Sequence, residues 1–166
     1  GGMVISMAIN IRQKMTLFTD NDIYESPYHK LPRGADPKFV YKILNEFGIN
    51  GHHHSALISE FEGVIGAGLG SSASCAVALI GAINKALNLG LSKEDIAERA
   101  WDIETNIIGH YGGKQDQYAS TFGGFNLFSF NKDNVVVDML DRDRERGEEI
   151  TDHIVLFDTG IKRTKN

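Results

Sequence analysis

The chain has 166 residues, 42% hydrophobic and 23% charged, a composition typical of a globular domain rather than of a disordered or fibrous chain. Its formal net charge of -5 argues against a surface dedicated to nucleic acid or anionic membranes, and no apolar run approaches the ~18 residues of a membrane span. The one cysteine, Cys75, lies in an apolar stretch and cannot form an internal disulfide. We therefore predict a buried thiol, a reducing compartment and a cytoplasmic location.

The first part of the chain predicts strands around one helix. Alternating apolar residues indicate strands near residues 3–9 and 14–19, which we expect to pair as a hairpin. An Asp-Pro pair at Asp36 is typical of a helix start, and apolar residues then recur at helical spacing until Gly48. Residues 55–61 resemble a strand that leads into a glycine-rich segment.

The second part predicts helices followed by strands. Small and aliphatic residues fill residues 73–89 without a clear polar face, which predicts a central helix buried nearly all round. Ser92 and Asp95 resemble a capping box, and we expect that helix to run to about Ile108. Mixed elements without regular alternation predict an α+β fold. Strands are expected at residues 125–130, 135–139 and 153–158.

The strongest chemical signal is the glycine-rich segment between a predicted strand and the long apolar helix. Glycines let the backbone turn sharply and approach a ligand, and the free amides at a helix start favour an anion. The segment lacks the lysine of a P-loop and the third glycine of a dinucleotide-binding loop. A phosphate cradle and a turn needed only for helix packing both fit its residues, Gly66, Ala67, Gly68, Leu69, Gly70, Ser71 and Ser72.

Two carboxylates form the second signal. Glu104 shares a predicted helix face with Trp101, and this spacing alone favours a boundary glutamate that reaches water. Asp116 lies in a glycine-rich stretch and by itself is most simply a turn residue, whose ionised form the nearby Lys114 would favour. Near a phosphate site, the ionised aspartate could instead align or deprotonate an acceptor hydroxyl, while the second carboxylate and a serine hydroxyl hold Mg²⁺, as phosphoryl transfer requires.

Three adjacent histidines, His52, His53 and His54, raise the question of a metal site. Consecutive side chains do not easily point at one ion, and these lie in a polar connection. We therefore expect a solvated loop.

These residues resemble the GHMP kinases, the family of galactokinase, homoserine kinase, mevalonate kinase and phosphomevalonate kinase. Residues 66–73 are similar to the second signature motif of the family. The residues around Glu104, together with residues 112–119 and 122–126, resemble the branch that phosphorylates D-glycero-D-manno-heptose 7-phosphate, with L-fucokinase close by. The resemblance extends over about residues 1–160.

The resemblance implies the amino-terminal domain of the superfamily, a two-layer α+β sandwich similar to the second domain of ribosomal protein S5. It implies that residues 66–72 wrap the phosphates of ATP, that Ser72 and Glu104 are ligands of Mg²⁺, and that Asp116 acts on the sugar hydroxyl. The residues implied in contact with the sugar or sugar phosphate are Gly113, Lys114, Gln115 and Asp116.

Some family features differ in this sequence. Val64 and Ile65 replace the prolines usual before the loop, and Thr105 replaces a basic residue often found after the metal-binding glutamate. The first family motif and the glycine-rich motif of the carboxy-terminal domain do not occur in residues 1–166. We therefore expect one amino-terminal, ATP-binding domain that lacks its first strand and its second domain and does not turn over alone.

Three functions stay open at this point. The first is an ATP-dependent kinase of a sugar or sugar phosphate, with heptose 7-phosphate ahead of fucose and galactose. The second is a non-catalytic sensor that binds ATP and sugar, although Ser72, Glu104 and Asp116 favour the enzyme. The third is an S5-like nucleic-acid-binding module, which the acidic charge balance disfavours.

Overall fold

The structure, a computed structural model, describes residues 1–18, 36–49, 56–63, 67–140, 153–155, 157 and 159–160. Its strands are β1 (Gly2–Met7), β2 (Gln13–Phe18), β3 (Ala56–Phe61), β4 (Phe125–Phe130) and β5 (Val135–Met139). Its helices are α1 (Pro37–Glu46), α2 (Ser71–Leu87), α3 (Lys93–Asp102) and α4 (Gln115–Phe122), with a π-helical turn at Ile103–Ile107. No helix in these ranges is long and apolar enough to cross a membrane.

The described strands form two antiparallel sheets. β4 lies between β1 and β5, and Phe128 is opposite both Val4 and Val137. β2 pairs with β3 in a separate two-stranded sheet. The predicted hairpin of the first two strands is therefore wrong. Alternating apolar residues determine which face of a strand is buried, but its partner is chosen by contacts with distant segments.

The larger core packs α1 and the two-stranded sheet against α2. Asp36 caps α1 as predicted, because its carboxylate accepts from the Lys38 amide at 3.0 Å. In α2 only Ser72, Lys85 and Leu87 are exposed, so the predicted burial holds for most of the helix, whereas residues 88 and 89 of the prediction lie beyond its end and are exposed. Cys75 is buried there, also as predicted. Other members of this core are Phe39, Val40, Ile43, Leu79, Ile80 and Ile83.

The helix that begins after Ser92 ends differently from the prediction. Its capping box is present, since Ser92 Oγ accepts from the Asp95 amide and Asp95 Oδ2 accepts from the Ser92 amide. The α-helix ends at Asp102, and in the π-helical turn that follows the Ile108 amide donates to the Ile103 carbonyl at 2.9 Å. A π turn shifts the helical register, so spacing by three or four residues no longer predicts which later side chains share a face.

A smaller aromatic core packs α4 against the three-stranded sheet. Tyr118 is 2% exposed, and its ring stacks on Phe122 and meets Phe128 edge-on, with centroids 5.8 and 5.9 Å apart. This burial accounts for a helix within a stretch rich in glycine, because packing of an apolar face stabilises a short helix more than local propensity does. Asp116 therefore lies in the first turn of α4, and its interpretation as a turn residue is wrong.

Some predictions concern other residues. Residues 153–155 lie outside any strand, so the strand expected at 153–158 is not found where the structure describes that segment. The histidines His52, His53 and His54 lie outside the described residues, and so does Gly66.

Candidate active site

The described part of the glycine-rich segment is an exposed loop that ends at the start of α2. Gly68 and Gly70 have φ angles of +78° and +67°, in the left-handed region that favours glycine. Gly70 is the N-cap of α2 and offers no side chain to the first-turn amides, which have no partner within the helix. The loop therefore presents backbone donors and the positive end of a largely buried helix to an anion.

A serine and a glutamate meet behind this loop. The Ser72 hydroxyl, in the first turn of α2, donates to Glu104 Oε1 from the π-helical turn. Glu104 is only 6% exposed, so the sequence-based interpretation of a boundary glutamate that reaches water is wrong. The π turn explains the difference, because it changes the register on which that interpretation depended. The two oxygen-bearing side chains that the family resemblance assigns to Mg²⁺ are thus in contact.

Gln117 completes this cluster and was missed in the sequence analysis. Its Nε2 donates to Glu104 Oε2 at 2.5 Å, so both oxygens of the buried carboxylate accept hydrogen bonds. Gln117 Oε1 is buried without a hydrogen-bond partner among the described residues. The amide cannot be reversed, since its oxygen would then face the carboxylate. If α4 is recognised as a helix in the sequence, Gln117, next to the buried Tyr118, becomes a candidate for this role.

Asp116 lies next to the glycine loop. It is exposed in the first turn of α4, and a Cβ built on Gly70 would be 3.5 Å from its Cγ. The structure therefore brings together the predicted phosphate loop and the predicted acid. Gln117, the next residue along α4, contacts the other predicted acid, Glu104.

Lys114 has a different partner from the one expected. Its ammonium lies 2.6 Å from Glu98 Oε2, and 4.5 Å above the centre of the Trp101 ring. The expectation that this ammonium acts on the ionisation of Asp116 gains no support from these contacts. Gly113 and Gln115 are exposed on either side of Lys114.

Burial raises the pKa of two groups next to this site. The pKa of the Cys75 thiol rises from 9.0 to about 12, first through burial and then through the charge of Glu104. The pKa of Tyr118 is raised by burial and by its hydrogen bond to Glu98. The raised pKa values keep both the thiol and the phenol neutral at physiological pH.

The same residues match a known family. The family model described as GHMP kinases N terminal domain matches residues 37–124, which contain the described loop, Glu104 and Asp116. The chain belongs to the GHMP kinases. The predicted family and its α+β amino-terminal fold are thereby confirmed.

Individual relatives differ in how much of this GHMP kinase chain they cover. D-glycero-alpha-D-manno-heptose 7-phosphate kinase of Campylobacter jejuni is 42% identical over 86% of this chain and 38% of its own length. Mevalonate kinase of Pyrococcus abyssi is 51% identical over 37% of this chain and 18% of its own. The crystal structure of a D-glycero-D-manno-heptose 1-phosphate kinase from Bacteroides thetaiotaomicron has a TM-score of 0.71 and 25% identity, covering 87% of this chain and 53% of that one. The chain therefore spans only about a third to a half of the length of these heptose kinases.

The donor set of this GHMP kinase fits Mg²⁺. Within the described ranges, no group of three or more His, Cys, Asp or Glu side chains could hold a metal ion. Mg²⁺ does not require such a cage, because it keeps several waters and is bound by one or two carboxylates together with substrate phosphates. The carboxylate of Glu104 and the hydroxyl of Ser72 are hard oxygen donors that lie at the start of α2, where phosphates would arrive.

Proposed function

We propose that this chain is the ATP-binding part of a kinase that phosphorylates a hydroxyl of a sugar phosphate of the D-glycero-D-manno-heptose 7-phosphate type. The observation that carries the proposal is the closeness of the loop to Asp116: a Cβ built on Gly70 would lie 3.5 Å from the carboxyl carbon. Phosphoryl transfer needs the donor phosphate beside the group that orients the acceptor, and this adjacency supports such an arrangement.

On the donor side, the backbone amides of residues 66–72 would bind the phosphates of ATP. Ser72 and Glu104 would hold Mg²⁺, and Gln117 would keep the Glu104 carboxylate in place through its amide. When bound, the metal supplies neutralisation of the charge on the transferred phosphoryl group.

On the acceptor side, Asp116 would accept a hydrogen bond from the reacting hydroxyl. As that oxygen bonds to the γ-phosphorus and the bond to the leaving ADP oxygen breaks, its proton would pass to the Asp116 carboxylate. Gly113 and Gln115, exposed beside Asp116, stay predicted contacts of the sugar phosphate. The carboxylate is exposed in the structure, as a group that must meet a substrate has to be.

Identity and coverage taken together favour a sugar phosphate as the substrate. The Campylobacter jejuni heptose kinase is 42% identical over 86% of the chain, whereas mevalonate kinases match either a shorter part of the chain or up to 76% of it at 28% identity. The chain as a whole thus resembles the heptose enzyme more than it resembles a mevalonate kinase. Because the chain spans 38% of the heptose kinase, we propose that a second domain in the full-length protein completes the site.

The substitution Asp116→Asn in the full-length protein tests this proposal. We expect kcat to fall by roughly 10² to 10⁴, the range of a positioned general base, with the KM for ATP changed less than about twofold. The substrates to compare are heptose 7-phosphate, fucose, galactose and mevalonate, and Asp138→Asn on an exposed strand position is the matched control.

Two results would contradict the proposal. If Asp116→Asn keeps more than about half the wild-type rate, Asp116 is not in the mechanism, since even 1.4 kcal/mol of barrier is worth tenfold. If the wild-type protein binds ATP and heptose 7-phosphate by calorimetry without turnover, the protein is a sensor with a kinase fold.

A further inference from the structure

Glu98, on α3, connects to the segment that carries Asp116 through both of its carboxylate oxygens. Glu98 Oε2 accepts from the Lys114 ammonium at 2.6 Å, and Glu98 Oε1 accepts from the Tyr118 hydroxyl at 2.7 Å. Lys114 precedes Asp116 by two residues and Tyr118 follows it by two. A single side chain therefore holds the segment on both sides of the proposed catalytic carboxylate.

Trp101 adds two contacts from the same helix. It lies three residues after Glu98, so the two side chains share a face of α3. Its indole Nε1 donates to the Gly112 carbonyl at 2.9 Å, and the Lys114 ammonium lies 4.5 Å from the centre of its ring. The four contacts from Glu98 and Trp101 reach residues 112, 114 and 118.

This segment has few constraints of its own. Gly109, Gly112 and Gly113 precede α4, and a chain rich in glycine has many accessible backbone conformations. Lys114, the N-cap of α4, makes no side-chain capping bond to the helix. The contacts from α3 therefore add, at the start of α4, to the aromatic packing that holds the rest of that helix, and they help to set where Asp116 lies relative to Gly70.

We propose that Glu98 and Trp101 are positioning residues that hold Asp116 beside the glycine loop, and that Lys114 acts through Glu98 rather than on the acceptor. The role of Asp116 in this inference rests on the proposed kinase function. The Lys114 and Glu98 side chains are 30% and 38% exposed, and an ion pair of this accessibility contributes little to stability. Its effect is instead on position, because a displacement of about 1 Å at a reacting group can cost 10²-fold in rate.

The test is a double-mutant cycle in the full-length protein with Glu98→Gln and Lys114→Met. Glu98→Gln keeps an oxygen for the Tyr118 hydroxyl and removes the ion pair. We expect each single substitution to lower kcat about 10- to 100-fold, with the KM for ATP and for the acceptor changed less than about twofold. The double substitution should cost no more than the larger single one, because both remove the same contact.

Two control variants accompany the cycle. Glu46→Gln makes the same chemical change at an exposed position of α1 and should leave kcat unaltered. Lys114→Arg keeps the cation and should retain most of the activity. Thermal unfolding of each variant, with assays well below the transition, separates a change in position from a loss of fold.

Other outcomes would overturn the inference. A raised KM for the acceptor in Lys114→Met with kcat unaltered would make Lys114 a substrate contact, and losses that multiply in the double variant would show independent roles. Hydrogen exchange of residues 110–118, measured without substrates, keeps the two proposals distinguishable. If the wild-type protein has no kinase activity but exchange is faster in Glu98→Gln, the kinase proposal is refuted and the positioning contacts stand. If exchange is unaltered in Glu98→Gln, the positioning contacts are refuted.

Discussion

The candidate site has two halves, one that offers backbone groups and one that offers side-chain groups. On one side, the described residues of the glycine loop are mostly exposed and offer backbone amides at the start of α2. On the other side, Glu104 and Gln117 are buried and offer side-chain oxygen and nitrogen, joined to the exposed Ser72 at the boundary. The backbone half depends on local conformation at two glycines. The side-chain half depends on three separate elements meeting in space.

Substitutions in the two halves should act in different ways. A substitution in the loop changes the backbone that would bind phosphate but leaves the core intact, since the loop packs little. A substitution in the buried cluster leaves a polar partner without its hydrogen bond, at a cost of about 1–3 kcal/mol. The two halves can therefore be altered separately, and the expected effects differ in both size and metal dependence.

Between the two halves, the larger effect on ATP binding should come from Glu104→Gln in the side-chain half. The glutamine keeps the shape, and the Ser72 hydroxyl can turn from donor to acceptor to meet its amide, so the fold is retained. Removal of the charge should weaken binding of Mg²⁺-ATP by about tenfold or more (~1.4 kcal/mol), with metal-free ATP nearly unaffected. Calorimetry with and without Mg²⁺ measures both, and Glu60→Gln in an exposed ion pair is the control. Equal losses in the two titrations would return Glu104 to a purely structural role.

A smaller effect is expected from Gly70→Ala in the backbone half. Gly90 supplies a matched control, because its φ of +70° is close to the +67° of Gly70 and a Cβ there would meet nothing within 4 Å. Both substitutions should cost about 1–2 kcal/mol of stability, since an L-residue is strained in the left-handed region. Only Gly70→Ala should weaken ATP binding, by less than about tenfold, because relaxation of its backbone moves the first amides of α2. Equal ATP affinities in the two variants would show that the phosphates of ATP do not bind at this loop.

The smallest effect concerns Cys75, in the helix that supports both halves. Its thiol has a pKa of about 12 in the folded protein against an ordinary 9.0, so iodoacetamide should react slowly with the native protein at pH 8 and much faster after unfolding in urea. Because folding raises the pKa of the Cys75 thiol, unfolding releases a proton above pH 9. The free energy of unfolding is therefore independent of this thiol below pH 9 and declines as the pH rises from 9 towards 12. Peptide mass spectrometry measures the modification, and rapid labelling of native protein would contradict the buried position.

Several features of both halves can be predicted from the sequence alone, and others cannot. The capped starts of α1 and α3, the apolar character of α2 and the glycine loop before it were all predicted, because each depends on residues within one or two turns of chain. The burial of Glu104 was predicted wrongly, since a π turn at Ile103–Ile107 changed the helical register. α4 was missed, because its stability comes from aromatic packing against the sheet and its flanking glycines predict a turn.

The family resemblance and the chemical groups of the site, a glycine loop, a serine and two acids, can therefore be recognised from the residues alone. How these groups lie relative to one another depends on tertiary packing. The loop, the π turn and α4 are separated along the chain, and their contacts, such as Glu104 with Gln117 and Glu98 with Lys114, form when α2, α3 and α4 pack together. Helix capping and glycine conformation depend on the free energies of interactions between residues close in sequence. The burial of a carboxylate and the choice of its hydrogen-bond partner depend instead on which segments, distant in sequence, pack together and exclude water.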